Sequence, residues 1–244
     1  MPRHDIDMPS PVCSFVLLLL VSLAGCATPK FNGPDSVGWH AVTLPGKTAT
    51  QYAHTIKDGR PAISANANGS ASMWRRKLAG SMAPTTVREV RFSWWVEQAP
   101  DNASVADVRR DDAGARVLFG FDGDHAQLAP RTRMLFDMAE ALTGEKPPFA
   151  TLMYVWDSTA PIGSVIVSPR SDRIRKIVVD SGPDHHRSWR DHRRDLSADY
   201  QLAFGETPGA LLSVAVMTDS DNTASRARAW YGAVSVYPGA SAAL

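Results

Sequence analysis

The chain has 244 residues, 44% of them apolar and 21% charged, enough for one large domain or two small ones with a core of their own. A formal net charge of +1 excludes a nucleic-acid binder that works by bulk electrostatics. The 17 Gly and 17 Pro are spread along the chain, so they punctuate many short segments and favour β structure over a helical bundle.

The first element is a processing signal. Ser14 to Ala24 is an apolar run, too short to span a bilayer, which takes ~20 apolar residues, but the right length for the core of a signal peptide. It ends in Leu23-Ala24-Gly25-Cys26, which looks like the lipobox of bacterial lipoproteins, although Asp5 and Asp7 weaken the basic character expected ahead of the run. That resemblance implies cleavage after residue 25 and a lipid on Cys26. Cys13 then leaves with residues 1–25, and the mature domain holds no thiol for a disulfide, a nucleophile or a metal. Acyl chains on Cys26 imply membrane attachment, each buried CH₂ contributing ~0.8 kcal/mol. Ala27, rather than Asp, after the Cys implies the outer membrane, periplasmic side.

Residues 26–38 carry the lipidated Cys and a Pro- and Gly-containing tether, and one domain is expected over 39–237, with a disordered tail at 238–244. Trp39 to Leu44 is a strand candidate. Thr50 to Ile56, then Asp58-Gly59, then Pro61 to Ala67 reads as a hairpin. Val87 to Glu97 is a long strand rich in β-branched and aromatic residues, and its Trp94 and Trp95 must point to opposite faces. Asp101 to Ala113 is polar and loop-like, and Ala115 to Asp122 is a buried strand. Arg131 to Leu142 has helical spacing, with Met134, Leu135, Met138, Ala141 and Leu142 on one face and Gly144 as its stop. Strands follow at Thr151 to Asp157, Ser164 to Pro169 and Arg173 to Asp180. The stretch Asp184 to Arg194 reads as a solvated basic loop rather than a zinc site. Asp195 to Phe204 is a short helix, with Leu196, Tyr200 and Phe204 on one side. Leu211 to Val216 and Ala229 to Tyr237 are the last strands. About ten strands with two short inserted helices and no regular βα alternation predict a mainly β fold, a two-sheet β-sandwich of jelly-roll or lectin-like type.

Several segments together resemble a bacterial family known as domain of unknown function 3047. They include Leu44 to Thr48, Arg110 to Val117, Leu152 to Trp156, Arg173 to Arg175, Phe204-Gly205-Glu206 and Met217 to Thr223. The resemblance implies an envelope setting but no activity. The closing Tyr-Gly-Asp of that family is Tyr231-Gly232-Ala233 here.

The densest ligand chemistry is Met217 to Thr223. Asp219, Asp221 and Asn222 offer hard oxygens that suit Ca²⁺, although the EF-hand pattern is absent, and the same turn can instead use those side chains on its own backbone. Arg110, Asp111 and Asp112 with Arg116 are expected to face Asp122 and Asp124 across one end of the sandwich, either for sugar hydroxyls or as an ion-pair network. A buried Arg116 would demand a carboxylate. Tyr154, Trp156, Trp189, Trp230 and Tyr231 are candidate sugar-stacking platforms, with core packing as the alternative for each. No Gly-x-Ser-x-Gly elbow, Walker loop or dinucleotide fingerprint is present. The expected function is a periplasm-facing, membrane-anchored module that binds a glycan or another envelope ligand and no nucleic acid. Two alternatives stand beside it: a glycan hydrolase using a carboxylate pair among Asp112, Asp122 and Asp219, and a structural lipoprotein that binds another protein.

Overall fold

The computed structural model describes Met1 and residues 38–82 and 87–238. The signal segment, Cys26, the tether up to residue 37 and residues 239–244 lie outside the described residues. The described residues of the sandwich all lie within one compact unit.

Two sheets pack face to face, as the alternating patterns require. Those patterns give thirteen strands among the described residues: β1 (Trp39–Thr43), β2 (Gln51–Lys57), β3 (Arg60–Asn68), β4 (Ser72–Met82), β5 (Val87–Gln98), β6 (Ala113–Phe121), β7 (Ala150–Asp157), β8 (Val165–Val167), β9 (Ile174–Ser181), β10 (Trp189–Asp195), β11 (Leu211–Asp219), β12 (Arg226–Tyr231) and β13 (Ser235–Pro238). The seven-stranded sheet runs β1-β4-β11-β6-β7-β9-β8. The six-stranded sheet runs β10-β5-β12-β3-β2, with β13 also on β5. The β7–β9 pair is parallel. The last long strands occupy the middle: β11 lies between β4 and β6, and β12 between β3 and β5.

The core between the sheets is built from Val117, Phe119, Leu152, Tyr154 and Val216 on one side and Val90, Phe92, Trp94 and Tyr231 on the other. Strand β6 is buried along its whole length, which explains its nearly unbroken apolar sequence. The β2–β3 turn is the expected two-residue hairpin. Asp58 and Gly59 have φ of 49° and 77°, the doubly positive geometry that matches strand twist.

Two helices are inserted. In α2 (Leu196–Phe204) the Asp195 carboxylate accepts from the Ala198 N–H and Gly205 closes the end in the left-handed region. Its Leu196 and Tyr200 are buried, as their spacing predicts. α1 (Pro130–Thr143) departs from expectation. Thr132 and Phe136 are its buried residues, while Met134, Met138 and Leu142 are 62%, 54% and 66% exposed. The helical period was right but the buried face was not, because Phe136 and a threonine bonded to Asp172 anchor the opposite side. The basic stretch is also corrected: residues 189–195 form β10, an edge strand on β5, rather than a loop.

Candidate functional site

Arg116 lies on the outward-facing side of β6 yet is 3% exposed. A buried guanidinium needs carboxylates, and it has two. Its Nε donates to Asp219 Oδ1 at 2.9 Å and its terminal nitrogen to Asp219 Oδ2 at 2.9 Å, a bidentate pair. It also donates to Asp111 Oδ1 at 3.0 Å. Lys176 on β9, equally buried, donates to Asp111 Oδ2 at 2.6 Å and to the Val105 carbonyl at 2.6 Å. One network thus ties the loop 101–112 to β6, β9 and β11. This is the ion-pair reading of that loop, but with different partners than the sequence suggested.

The turn after β11 is held from beside it. Asp112 accepts from the Asn222 and Thr223 N–H groups and from the Thr223 hydroxyl. Lys47 donates to Asp221 and Arg170 donates to the Asn222 side-chain oxygen Oδ1. Tyr231, at the end of β12, donates to the Met217 carbonyl at 2.6 Å, meets the Thr218 hydroxyl and accepts from the Arg116 N–H.

Burial pushes the Asp219 carboxyl up to about 6, against the pull of Arg116 and with the help of Asp112 and Asp111. Burial also opposes the Asp111 charge, but Arg116 and Lys176 outweigh it and hold that carboxyl below its usual value. Lys176 falls to about 8 because burial and the adjacent Arg116 disfavour its proton more than Asp111 retains it.

Carboxylate oxygens of Asp112, Asp219 and Asp221 lie within 4.8 Å of one another, near enough to share one ion. The donor set fits Ca²⁺ poorly. Both Asp219 oxygens are taken by Arg116, Asp112 is filled by the turn, and the Asn222 amide donates to the Asp111 carbonyl. An ion here would sit against Arg116 and Lys47. The same bonds argue against an acid–base pair: a carboxylate bidentate on a permanent cation is mostly ionised at neutral pH and has no proton to give.

The other expected site residues lie elsewhere. Asp122 and Asp124 sit past the far end of β6, exposed; Asp122 accepts from the Gly123 N–H and Asp124 caps the short turn His125–Gln127. They do not face Arg116. The aromatic platforms are also corrected. Tyr154, Trp156 and Tyr231 are at most 1% exposed, with Tyr154 bonded to Asp199 and Trp156 to the Gly182 carbonyl. Trp230 lies on the outer face of the six-stranded sheet but is 7% exposed, packed edge-on against Trp95 with Lys57 and Arg228 above the pair. None of these four presents a free ring to a sugar, and the half-buried Trp189 has Arg60 over its ring.

Sequence reasoning missed a groove on the outer face of the seven-stranded sheet, with a volume of about 850 Å³. Met73, Leu118, Met153 and Met217 form its apolar floor, a small cluster separate from the main core. Strand β1 and the end of α1 border it. Arg75 with Glu145 marks one end, and Lys47 with Asp221 the other. The signal was in the strands: in β4, β6, β7 and β11 an apolar residue falls on both faces, which a one-sided sheet does not need.

A match to the family described as "Protein of unknown function (DUF3047)" covers residues 37–235. The chain belongs to that family. Among curated proteins nothing matches. Solved structures of similar fold include the family 11 carbohydrate-binding module of the cellulosomal cellulase Lic26A-Cel5E of Clostridium thermocellum, at 8% identity and a TM-score of 0.40 over 86% of this chain and 91% of that one. A cellulase derived from Cel12A of Rhodothermus marinus is similar at 14% identity and a TM-score of 0.46, over 84% and 94%. A family 11 xylanase from Neocallimastix patriciarum follows at 9% and 0.35, over 82% and 100%. At these identities and scores the likeness concerns the sandwich and not its ligands.

Proposed function

We propose that this member of DUF3047 is a periplasm-facing lipoprotein of the outer membrane, anchored through Cys26, whose sandwich holds an elongated envelope ligand in the groove over the seven-stranded sheet. The groove carries this reading: an apolar floor of methionines and a leucine, bounded at both ends by charged side chains. Methionine is unbranched and polarizable, so such a floor accommodates irregular apolar ligands. With the expected stacking aromatics buried, the ligand is better described as apolar along its middle and polar at its ends than as a plain glycan. The anchor rests on the Leu23-Ala24-Gly25-Cys26 motif behind an apolar run.

The experiment uses the purified full chain and the fluorescent apolar probe N-phenyl-1-naphthylamine. Saturable binding is expected, displaced by an extract of envelope lipids but not by soluble oligosaccharides. Met153→Lys, which puts a charge on the half-buried floor, is expected to weaken the probe at least tenfold, about 1.4 kcal/mol. Absence of saturable binding, or an unchanged Met153→Lys, refutes the groove. Fractionation of Cys26→Ser reads the anchor independently: retention in the membrane fraction refutes it.

A further inference from the structure

A second cavity, of about 740 Å³, opens through the six-stranded sheet, on the other side of the sandwich from the groove. It exists because the neighbour of β5 is interrupted. β12 leaves β5 at Tyr231, opposite Trp94, and β13 rejoins it at Ser235, opposite Arg91. Between them one backbone bond, Gly232 N–H to the Ser93 carbonyl, spans the gap. The floor is formed by core side chains, Phe92, Tyr231 and Val234, and is therefore largely apolar.

The rim is cationic. Arg91 on β5 and Arg193 on β10 are directly opposite in the ladder, a like-charged pair that is unfavourable unless an anion joins it. Glu89 supplies half of the answer. It accepts the Nε of Arg91 at 2.6 Å and of Arg193 at 2.5 Å, and these bonds with the two charges outweigh the desolvation that opposes its ionisation and hold its carboxyl below the usual value. One carboxylate faces two guanidiniums, and among the described residues the terminal nitrogens of both have no hydrogen-bond partner. Arg60, across the cavity, is neutralised by Asp191 at 2.8 Å. His192 is held at the same rim by Asp180, its ring stacked on Phe92. Trp39 lines the cavity too, and its buried indole N–H meets no acceptor among the described residues. Ala233, exposed at the mouth, adds no charge of its own.

We infer that this cavity binds a small oxyanion, a phosphate or carboxylate, carried on an aromatic or apolar body. The Arg91–Arg193 pair takes the anion with the donors that Glu89 leaves open, and the Phe92, Tyr231 and Val234 floor takes the body. A guanidinium pair suits phosphate and carboxylate because its paired N–H groups match their oxygens.

Isothermal titration of the full chain tests this with phenyl phosphate, inorganic phosphate and phenol. Phenyl phosphate is expected to saturate, inorganic phosphate to bind at least about tenfold more weakly, and phenol not to bind. Ala233→Asp, at an exposed position, is expected to weaken phenyl phosphate at least tenfold without moving the melting temperature of the unliganded protein. Arg91→Gln with Arg193→Gln is expected to abolish binding. No saturation by phenyl phosphate below about 10 mM overturns the inference, as do phenol binding equally well or Ala233→Asp binding like the unaltered chain. Binding to phosphatidylglycerol vesicles without binding to phenyl phosphate also overturns it, since the site is then a membrane contact. The groove is on the other sheet, so either reading can fail without the other.

Discussion

Asp219 and Asp180 are both buried carboxylates at strand ends, 3% and 0% exposed, yet their protons behave oppositely. Asp219 has the stronger single partner, a bidentate Arg116, but shares its surroundings with Asp111 and Asp112, and burial pushes it up to about 6. Asp180 has no carboxylate neighbour of that kind. It accepts from the Trp94 indole N–H at 2.8 Å, from His192 at 3.0 Å and from Arg190 at 3.1 Å. Burial again disfavours its charge, but these donors outweigh it and hold its carboxyl below the ordinary value. The lesson is that the surplus of donors over carboxylates, rather than depth alone, decides whether a buried acid is comfortable as an anion.

The contrast breaks most sharply at Arg116. Arg116→Ala removes the cation that Asp219 and Asp111 share and leaves buried like charges facing one another. Urea unfolding is expected to show a loss of about 3–5 kcal/mol. Asp180→Asn is milder, about 2 kcal/mol at pH 7, since the same donors remain but lose the charge they stabilise. Because the folded pKa of Asp180 lies below its unfolded value, that contribution is present above the unfolded value near 4 and is lost as pH falls through the folded one. The deficit of the variant should therefore shrink below about pH 4, and a deficit that persists unchanged contradicts the assignment. The smallest effect concerns Lys176. Its folded pKa of about 8 lies below an unfolded value near 10.4, so the folded state sheds the proton first and gains relative stability as pH rises between the two. Unfolding free energies of the wild type and Lys176→Met should separate in favour of the wild type by about 1–2 kcal/mol from pH 8 to 10.

Much of the fold was readable. Alternation placed most strands, Asp58-Gly59 marked its hairpin, and Asp195 with Gly205 bracketed α2. The site was only half readable. Arg116 between Ala115 and Val117 announced a buried cation that needs an acid, but its partner Asp219 lies 103 positions away, and nothing local chooses it over Asp122. Which strands become neighbours settles that, and spacing along one strand does not reveal it. Strand β10 was hidden for a related reason. Trp-Arg-Asp-His-Arg-Arg-Asp has no apolar alternation because its inward positions, His192 and Arg194, are accepted by Asp180 and Asp199 instead of by a greasy wall. The aromatics misled because Tyr and Trp serve equally as core and as platform. Here the polar atoms of Tyr231, Tyr154 and Trp156 are spent on internal partners, Met217, Asp199 and Gly182.

The positions of β11 and β12 bear on how the chain assembles. Each is made late and inserted into the middle of a sheet whose flanking strands come much earlier, β4 and β6 in one sheet, β3 and β5 in the other. Before β11 and β12 have joined, nothing links β4 to β6 or β3 to β5, so both layers are split down the centre with four raw strand edges. Closure is therefore a keystone event of high contact order that waits for the strands after residue 210.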